Sequence, residues 1–372
     1  MHACDGWMTL NVNVAPMLVR SIAHWYAPHR STIPNLSSML ETRKESVKMW
    51  KPAFLPAVAT SSRWVGYTLC LCLLSSCAPS DEPPGPSPVP GAEVRQLATG
   101  MVFTEGPVWL PEQQILIFSD IPNSRLMQWS EDGGLAVFRE AEEPNGNLLD
   151  LEGRLLTCQH GVRNIVRTER DGSITVLADR FEGRRFNSPN DVAVKSDGTL
   201  WFTDPPWGLP NLTEGKELDG NWVYRLDPSL GEITAVIRDL AMPNGIAFSP
   251  DETRLYVADT GGFITAPEFE HHDAPATLSA YEIDNGREVG ARPVWRVETL
   301  CDGMCVDEQG NIYATGDTGV TVWSPQGVLL RTIVVPEQPA NVCFGGQALT
   351  TLFITAQTSL YAVELDVAGN LP

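Results

Sequence analysis

The region from residue 93 to 372 is a series of short apolar runs separated by turn residues. One unit recurs in it: a small polar pair opens a hydrophobic run, and the fourth position from each opening is apolar. A turn and a second apolar run follow, such as Leu-Trp-Phe at 200–202. Short runs of β-branched and aromatic residues bounded by turns predict β-strands. The six copies open at Glu105, Asn145, Asn190, Asn244, Asp302 and Ala340.

The spacing of these copies predicts the fold. Successive openings lie 40, 45, 54, 58 and 38 residues apart, and repeats of about 40 to 50 residues are typical of four-stranded propeller blades. The sequence therefore predicts an all-β protein, a six-bladed β-propeller of four-stranded blades over residues 93–372. The sixth copy is short, with 33 residues from 340 to 372. We expect the apolar run at 94–98 to complete that blade and close the ring of blades.

Several second runs end on a polar residue at a nearly constant distance from the opening of their copy. Asp120, His160 and Asp259 lie 15 residues after their openings, and Asp204 lies 14 residues after its own. Such regularity indicates a true structural repeat rather than a chance series of strands.

The chain before the repeats carries features of a bacterial export signal. An apolar stretch at 64–74 is too short to span a bilayer as a helix of about 20 residues, so it predicts a signal peptide over 49–76. Met49 would then start translation, and residues 1–48 would be untranslated or disordered. Leu-Ser-Ser-Cys at 74–77 resembles the bacterial lipobox, in which the cysteine is lipidated and becomes the mature N-terminus. The alternative is an ordinary secretory signal.

Residues 77–92 form a Pro-rich segment that predicts an extended tether. With Cys77 lipidated, we expect the protein on the periplasmic side of the cell envelope, touching the membrane only through its lipid. Ala78 after the cysteine favours the outer membrane.

Composition narrows the chemistry. The chain holds 26 Lys and Arg against 46 Asp and Glu, a formal net charge of -20. Such a surface repels phosphate backbones, so we expect no nucleic-acid partner. Beyond residue 77 the Cys and His residues are Cys158, Cys301, Cys305, Cys343, His160, His271 and His272. They are too few for a zinc site built mainly from nitrogen and sulfur. Any metal in this region must therefore use oxygen ligands.

The openings of the six copies are the strongest candidates for a functional site. The first strand of each propeller blade lines the central channel, so the six openings predict a ring at one mouth, called here the channel ring. Five of its six residues carry oxygen ligands, which suit a hard divalent cation. An Asn-Gly or Asp-Gly pair alone is an ordinary turn signal, but six pairs in register favour a site. Glu105 is the most informative member, because a carboxylate in a channel costs solvation free energy unless something compensates.

Four segments resemble a known family: 104–109, 185–191, 243–245 and 302–307. The chain over about 95–372 is similar to the senescence-marker protein/gluconolactonase/luciferin-regenerating enzyme superfamily, which includes regucalcin. Asn-Ser-Pro-Asn-Asp at 187–191, with Asp-Pro-Pro-Trp-Gly at 204–208, most resembles its bacterial gluconolactonase branch.

The resemblance implies a six-bladed propeller with one catalytic divalent cation in its channel. It implies Glu105, Asn244 and Asp302 as direct ligands, and Asn190 as a ligand or a substrate contact. Asp302 also matches the residue usually proposed as the catalytic base. Ca²⁺ is the expected ion, with Mg²⁺, Mn²⁺ or Zn²⁺ as alternatives.

These expectations lead to a reaction, the hydrolysis of an aldonolactone, a small-molecule substrate. The cation would polarise the ring carbonyl and lower the pKa of a water molecule that attacks it, and Asp302 would accept the proton. Two alternatives stay open: a phosphotriester hydrolase of the diisopropyl fluorophosphatase kind, and a non-catalytic binding propeller.

Five further residues are candidates for binding the substrate: Asn145, His160, Arg185, Asn187 and Trp207. Four of these residues could instead have a purely structural role. Asn145 could simply finish a strand, and His160 could be a hydrogen-bonded wall residue. The ring of Trp207 could face a sugar or pack on a neighbouring blade, and Arg185 could be a solvated surface residue.

Overall fold

The computed structural model describes residue 87 and residues 92–262 and 273–371. Segments 1–48 and 49–76, Cys77 and nearly all of the predicted tether 77–92 lie outside the described residues, as do His271 and His272. The described part contains strands and two short 3-10 turns, Ile121–Asn123 and Pro210–Leu212, and no α-helix. It contains no helix long and apolar enough to cross a membrane.

Strand β1, Arg95–Thr99, precedes the first complete blade. Blade 1 consists of β2 (Thr104–Leu110), β3 (Ile115–Asp120), β4 (Arg125–Ser130) and β5 (Gly134–Glu140). Blade 2 consists of β6 (Pro144–Leu149), β7 (Leu155–Gln159), β8 (Asn164–Thr168) and β9 (Ile174–Ala178). A small hairpin of β10 (Arg180–Phe181) and β11 (Arg184–Arg185) follows. Blade 3 consists of β12 (Val192–Val194), β13 (Leu200–Asp204), β14 (Trp222–Asp227) and β15 (Glu232–Ile237).

Blade 4 consists of β16 (Pro243–Phe248), β17 (Arg254–Asp259) and β18 (Thr277–Asp284), and β18 pairs with both β19 (Glu288–Val289) and β20 (Trp295–Glu298). Blade 5 consists of β21 (Met304–Val306), β22 (Ile312–Thr315), β23 (Gly319–Trp323) and β24 (Leu329–Val334). Blade 6 has β25 (Pro339–Gly345), β26 (Thr351–Ala356) and β27 (Ser359–Glu364). The predicted six-bladed β-propeller is confirmed.

The closure of the propeller also follows the prediction. Strand β1 pairs antiparallel with β27, with Arg95 opposite Ala362 and Thr99 opposite Ser359. The N-terminal strand therefore supplies the fourth strand of blade 6, and the apolar run at 94–98 was assigned correctly to within one residue. This pairing joins the two ends of the repeat region and leaves blade 6 with the same strand order as the other blades.

The polar residue at the end of a second strand has a structural role in three blades. Its carboxylate accepts hydrogen bonds from backbone N–H groups just before the first strand of the same blade. Asp120 accepts from Val102 and Phe103, Asp204 from Asn187 and Ser188, and Asp259 from Ala241 and Met242. Burial raises the pKa of Asp204 to about 7, against these hydrogen bonds. In these three blades the regular spacing seen in the sequence therefore reflects hydrogen bonds that hold the backbone leading into the first strand.

Apolar side chains fill the spaces between blades. Trp201 of blade 3 packs edge-on against Phe248 of blade 4, with ring centroids 5.4 Å apart. Trp109 of blade 1 stacks on Phe353 of blade 6 at 5.5 Å, across the point where the propeller closes. Buried area of this kind is the main source of stability in such a fold. Cys301 is fully buried in one of these clusters, as expected for a small core residue.

Candidate functional site

The first two positions of each repeat meet at the propeller axis. The second-position N–H groups of Gly146, Gly245 and Gly303 donate to the carbonyl oxygens of the next blade's channel-ring residue, at 2.7–2.8 Å. A Cβ atom at Gly146 would lie 2.5 Å from the Asp191 carboxylate, which explains why only glycine fits there. Asn145–Gly146 and Asn244–Gly245 lie inside strands β6 and β16 and are not turns. Close packing at the axis, rather than turn formation, accounts for these pairs.

Hydroxyl groups at the ends of the second strands hold the channel ring in place. Ser119 and Thr203 each donate at 2.6 Å to a backbone carbonyl of the next blade, that of Asn145 and Asn244 respectively. Thr315 donates in the same way to the carbonyl of Ala340 at 3.0 Å. In blades 1 and 3 the hydroxyl residue directly precedes the Asp described above, a Ser-Asp or Thr-Asp pair visible in the sequence.

Three carboxylates come together at the channel ring. Burial raises the pKa of Glu105 well above its ordinary value, and the nearby charges of Asp302 and Asp191 raise it further. The pKa of Asp302 is raised to about 7 by desolvation and by Asp191, against a hydrogen bond from Asn244. Burial alone raises the pKa of Asp191 to about 7. The raised pKa values show that ionising these three carboxylates together costs free energy unless a positive charge enters the channel.

The donor set at this point fits a hard cation. Among the described residues no three His, Cys, Asp or Glu side chains form a cluster that could hold a metal ion, so an ion would need Asn oxygens besides carboxylates. The channel ring supplies both kinds of oxygen, and a cation would offset the desolvation and the repulsion that raise the pKa values of Glu105 and Asp302. The structure brings the predicted ligands Glu105, Asn244 and Asp302 together here. Asn190 lies in the neighbouring blade 3, and its backbone carbonyl accepts a hydrogen bond from the Gly146 N–H at 2.8 Å.

Three residues near the ligands were not singled out from the sequence. Asp191 follows Asn190 and adds the third carboxylate. Asn341 donates to Glu105 Oε2 at 3.0 Å, and Thr260 Oγ1 accepts a 3.1 Å hydrogen bond from the Asn244 amide. The first two occupy the second position of their repeats, where four other blades have glycine. The replacement of glycine at this position was therefore the sequence feature that could have identified Asp191 and Asn341 as site residues.

Asn145 and His160 form a buried pair beside the ligands. The Asn145 Nδ2 atom lies 3.0 Å from His160 Nε2. Burial lowers the pKa of His160 to about 3, so the imidazole is neutral at pH 7 and its Nε2 accepts the amide hydrogen. The Asn145 Oδ1 atom is buried, and no described residue hydrogen-bonds it. His160 therefore fixes the orientation of the Asn145 amide.

The other three candidates for substrate binding lie in blade 3 or in the segments that lead into it. Asn187 donates its Nδ2 to the carbonyls of Asp204 and Gly220, at 3.0 and 2.9 Å, and its buried Oδ1 has no hydrogen-bond partner among the described residues. Trp207 is only 4% exposed and packs in a cluster with Met242 of the neighbouring blade, which is the structural alternative considered for it. Arg185 donates to the carbonyl of Val162 at 2.8 Å in an exposed setting.

Fold and site define a class: a six-bladed propeller with a cluster of carboxylates and amides on its axis. A family model described as SMP-30/Gluconolactonase/LRE-like region matches residues 103–358. The chain belongs to this family.

Individual relatives agree with this assignment. A gluconolactonase of Zymomonas mobilis is 32% identical over 306 residues, covering 74% of this chain and 82% of the relative. A pentonolactonase of Haloferax volcanii is 30% identical and covers 70% of this chain and 84% of the relative. A solved gluconolactonase structure from Xanthomonas campestris is 36% identical with a TM-score of 0.65, covering 74% of this chain and 89% of that one.

Proposed function

We propose that this protein hydrolyses a sugar lactone with the help of one divalent cation held at the channel ring. The gluconolactonase of Zymomonas mobilis, the pentonolactonase of Haloferax volcanii and the gluconolactonase of Xanthomonas campestris each match 70% or more of the chain, which supports the enzyme class and the substrate class. The observation that carries the proposal is the burial of Glu105, Asp302 and Asp191 close together in the channel: desolvation raises all three pKa values, and neighbouring charges raise those of Glu105 and Asp302 further. Protein folding gains nothing from such a cluster, so its use lies in binding a cation and a substrate.

Glu105, Asn190, Asn244 and Asp302 would hold the cation, with Ca²⁺ as the expected ion and Mg²⁺, Mn²⁺ or Zn²⁺ as alternatives. When bound, such an ion supplies positive charge that polarises an ester carbonyl and makes a water molecule more acidic. The orientation of Asn244 is set by the hydrogen bond that its Nδ2 donates to Thr260 Oγ1 at 3.1 Å.

Asp302 is the residue that moves the proton. It is partly exposed to the channel, so one carboxylate oxygen can accept a proton from the attacking water as the new C–O bond forms. The same proton then passes to the ring oxygen of the lactone as the ester C–O bond breaks, which yields the open hydroxy acid. A general base with a pKa close to the working pH is suited to both steps.

Asn145 would bind a hydroxyl group of the substrate. Its Oδ1 is a buried acceptor that no residue in the described part of the chain satisfies, and the neutral His160 fixes the amide by accepting from Nδ2. An unsatisfied buried acceptor costs free energy in the empty protein and favours ligands that supply a donor. This arrangement suits the hydroxyl-bearing ring of an aldonolactone better than an apolar ester.

The test is a screen of Ca²⁺-loaded protein over aldonolactones and organophosphate esters, run in parallel with Asp302→Asn. We expect lactone hydrolysis by the wild type and its loss in the variant. Asn311→Ala, which removes a buried amide in the turn between β21 and β22 of blade 5, serves as a control for general loss of stability. Organophosphate hydrolysis without lactone hydrolysis, or lactone hydrolysis unaffected by Asp302→Asn, would contradict the proposal.

We also propose that the protein is lipid-anchored at Cys77 on the periplasmic side of the outer membrane, on the basis of residues 74–78 alone. Mass spectrometry of the mature N-terminus tests this. A lipidated Cys77 is the expected result, and an unmodified N-terminus downstream of Cys77 would contradict it.

A further inference from the structure

Asn341 occupies an unusual place on the propeller axis. It lies in β25 of blade 6, is 5% exposed, and stands at the second position of its repeat. Blade 6 contributes no oxygen ligand at its first position, because that residue is Ala340. The side chain of Asn341 instead fills the space above Gly303 of blade 5, where a Cβ atom would collide with it. The corresponding residues in four of the other blades are Gly106, Gly146, Gly245 and Gly303.

All polar atoms of the Asn341 amide have partners. Nδ2 donates to Glu105 Oε2 at 3.0 Å, and the side chain also hydrogen-bonds the carboxylate of Asp191. An amide nitrogen has two hydrogens, one for each of these carboxylates. The amide oxygen accepts from the backbone N–H of Val342 at 2.8 Å, which prevents the reversed orientation. The donors of Asn341 are thus directed at the two carboxylates by the backbone of its own strand.

The contacts of Glu105 show what this amide does. Oε2 accepts from the Gly106 N–H at 2.7 Å as well as from Asn341, and these are the hydrogen bonds that the described residues make to this carboxylate. Both fall on the same oxygen. A neutral donor stabilises the carboxylate without adding a positive charge, whereas Lys or Arg at this position would compete with a cation.

We propose that Asn341 is a positioning residue for the cation: its amide holds Glu105 by Oε2 and so presents the other carboxylate oxygen, Oε1, to the channel ring. This inference rests on the proposed function and adds a residue to it from the one blade that lacks a ligand. Asn341 touches neither the ion nor the lactone. Its removal therefore weakens ion binding and leaves the chemical step intact once the ion is bound.

The experiment is a calorimetric titration of chelator-treated, full-length protein with Ca²⁺ alone. Asn341→Gly gives blade 6 the residue found in four other blades, and Asn341→Ala is the second variant. A hydrogen bond to a charged group is worth enough to predict a rise of about 10- to 100-fold in the Kd for Ca²⁺ in both. At saturating Ca²⁺ we expect kcat on a lactone to return to within about threefold of the wild type. General misfolding would not raise the Kd for Ca²⁺ while leaving kcat nearly unchanged.

Asn311→Ala is the matched control. Asn311 is also a buried amide that donates to a carboxylate, Asp307 Oδ2 at 2.8 Å, but in a turn of blade 5. We expect it to lower the melting temperature without changing the Kd for Ca²⁺. If the Asn341 variants bind Ca²⁺ as tightly as this control, the positioning role is wrong and the cation proposal stands. If the wild type binds none of Ca²⁺, Mg²⁺, Mn²⁺ and Zn²⁺, both proposals are overturned.

Discussion

The two ends of the central channel are built from the same first strands but differ in chemistry. At one end the channel ring gathers carboxylates and amides. At the other end a cavity of about 300 Å³ is walled mainly by apolar side chains from one to three positions further along the strands, including Val192, Ile246 and Met304. Asp191 and Asn341 lie at the boundary and line the cavity as well. The comparison shows that two positions in each repeat carry the chemistry, while the positions after them provide packing.

The two ends also differ in their effect on stability. The apolar end buries hydrophobic area, which favours folding. The ring end buries Glu105, Asp302 and Asp191, which raises all three pKa values, and neighbouring charges raise those of Glu105 and Asp302 further. Both effects oppose folding of the ionised protein. Substitutions at the ring end should therefore change activity and ion binding more than stability, and substitutions at the apolar end should do the reverse.

The largest effect is expected from Asp302→Asn compared with Glu105→Gln. Both variants lose a charge and should bind the ion more weakly. If Asp302 also takes the proton from water, its variant keeps a kcat lower by about 10²–10⁴ at saturating metal, whereas Glu105→Gln recovers most of its activity. Steady-state kinetics at demonstrated metal saturation measures the difference. If Asp302→Asn regains the wild-type kcat at saturating metal, Asp302 is a metal ligand and not the general base.

At the apolar end, Phe248→Ala should act on stability alone. Phe248 is 8% exposed and packs against Trp201, so truncation leaves a cavity and costs about 3–5 kcal/mol of unfolding free energy. Denaturant unfolding measures this loss, and Ca²⁺ titration of the folded variant should give the wild-type Kd. If Phe248→Ala instead changes the Kd for Ca²⁺ strongly and loses little stability, the claim that the two ends of the channel have separate roles is wrong.

A smaller effect is expected when the melting temperatures of metal-free wild type and Asp302→Asn are compared at different pH values. The folded-state pKa of Asp302, about 7, lies above its ordinary value of 3.8. The folded protein thus binds more protons than the unfolded chain between these values, and this contribution to stability is present below pH 4 and lost as the pH rises through 7. Asp302→Asn lacks it, so the variant should gain melting temperature relative to the wild type between pH 4 and 7. A difference that stays constant with pH would contradict the raised pKa.

The sequence predicted the blades and the ring well because both depend on local patterns. Turn-bounded apolar runs marked the strands, and the short sixth copy indicated that the run at 94–98 closes the propeller, as β1 does. Asn341 was missed because the sixth repeat was aligned on Ala340. Which residue faces the axis depends there on an irregularity in the pairing of β25 between Pro339 and Asn341, and sequence spacing does not show it.

Contacts between distant segments were also beyond the sequence. Trp207 was considered for sugar binding, and its burial against Met242 arises from a loop of blade 3 meeting the entry to blade 4. Likewise, the pairing of His160 with Asn145 depends on how the second strand of blade 2 ends beside its first. Such contacts depend on tertiary packing, which local periodicity does not describe.

The most direct test of the account is lactone hydrolysis by chelator-treated protein, with metal content measured by elemental analysis before and after adding one equivalent of Ca²⁺. The account predicts activity near background without metal, recovery on addition of the ion, and one bound ion per chain. Full activity towards an aldonolactone in excess chelator, with no metal detected in the protein, would contradict the claim that the channel ring works by holding a divalent cation.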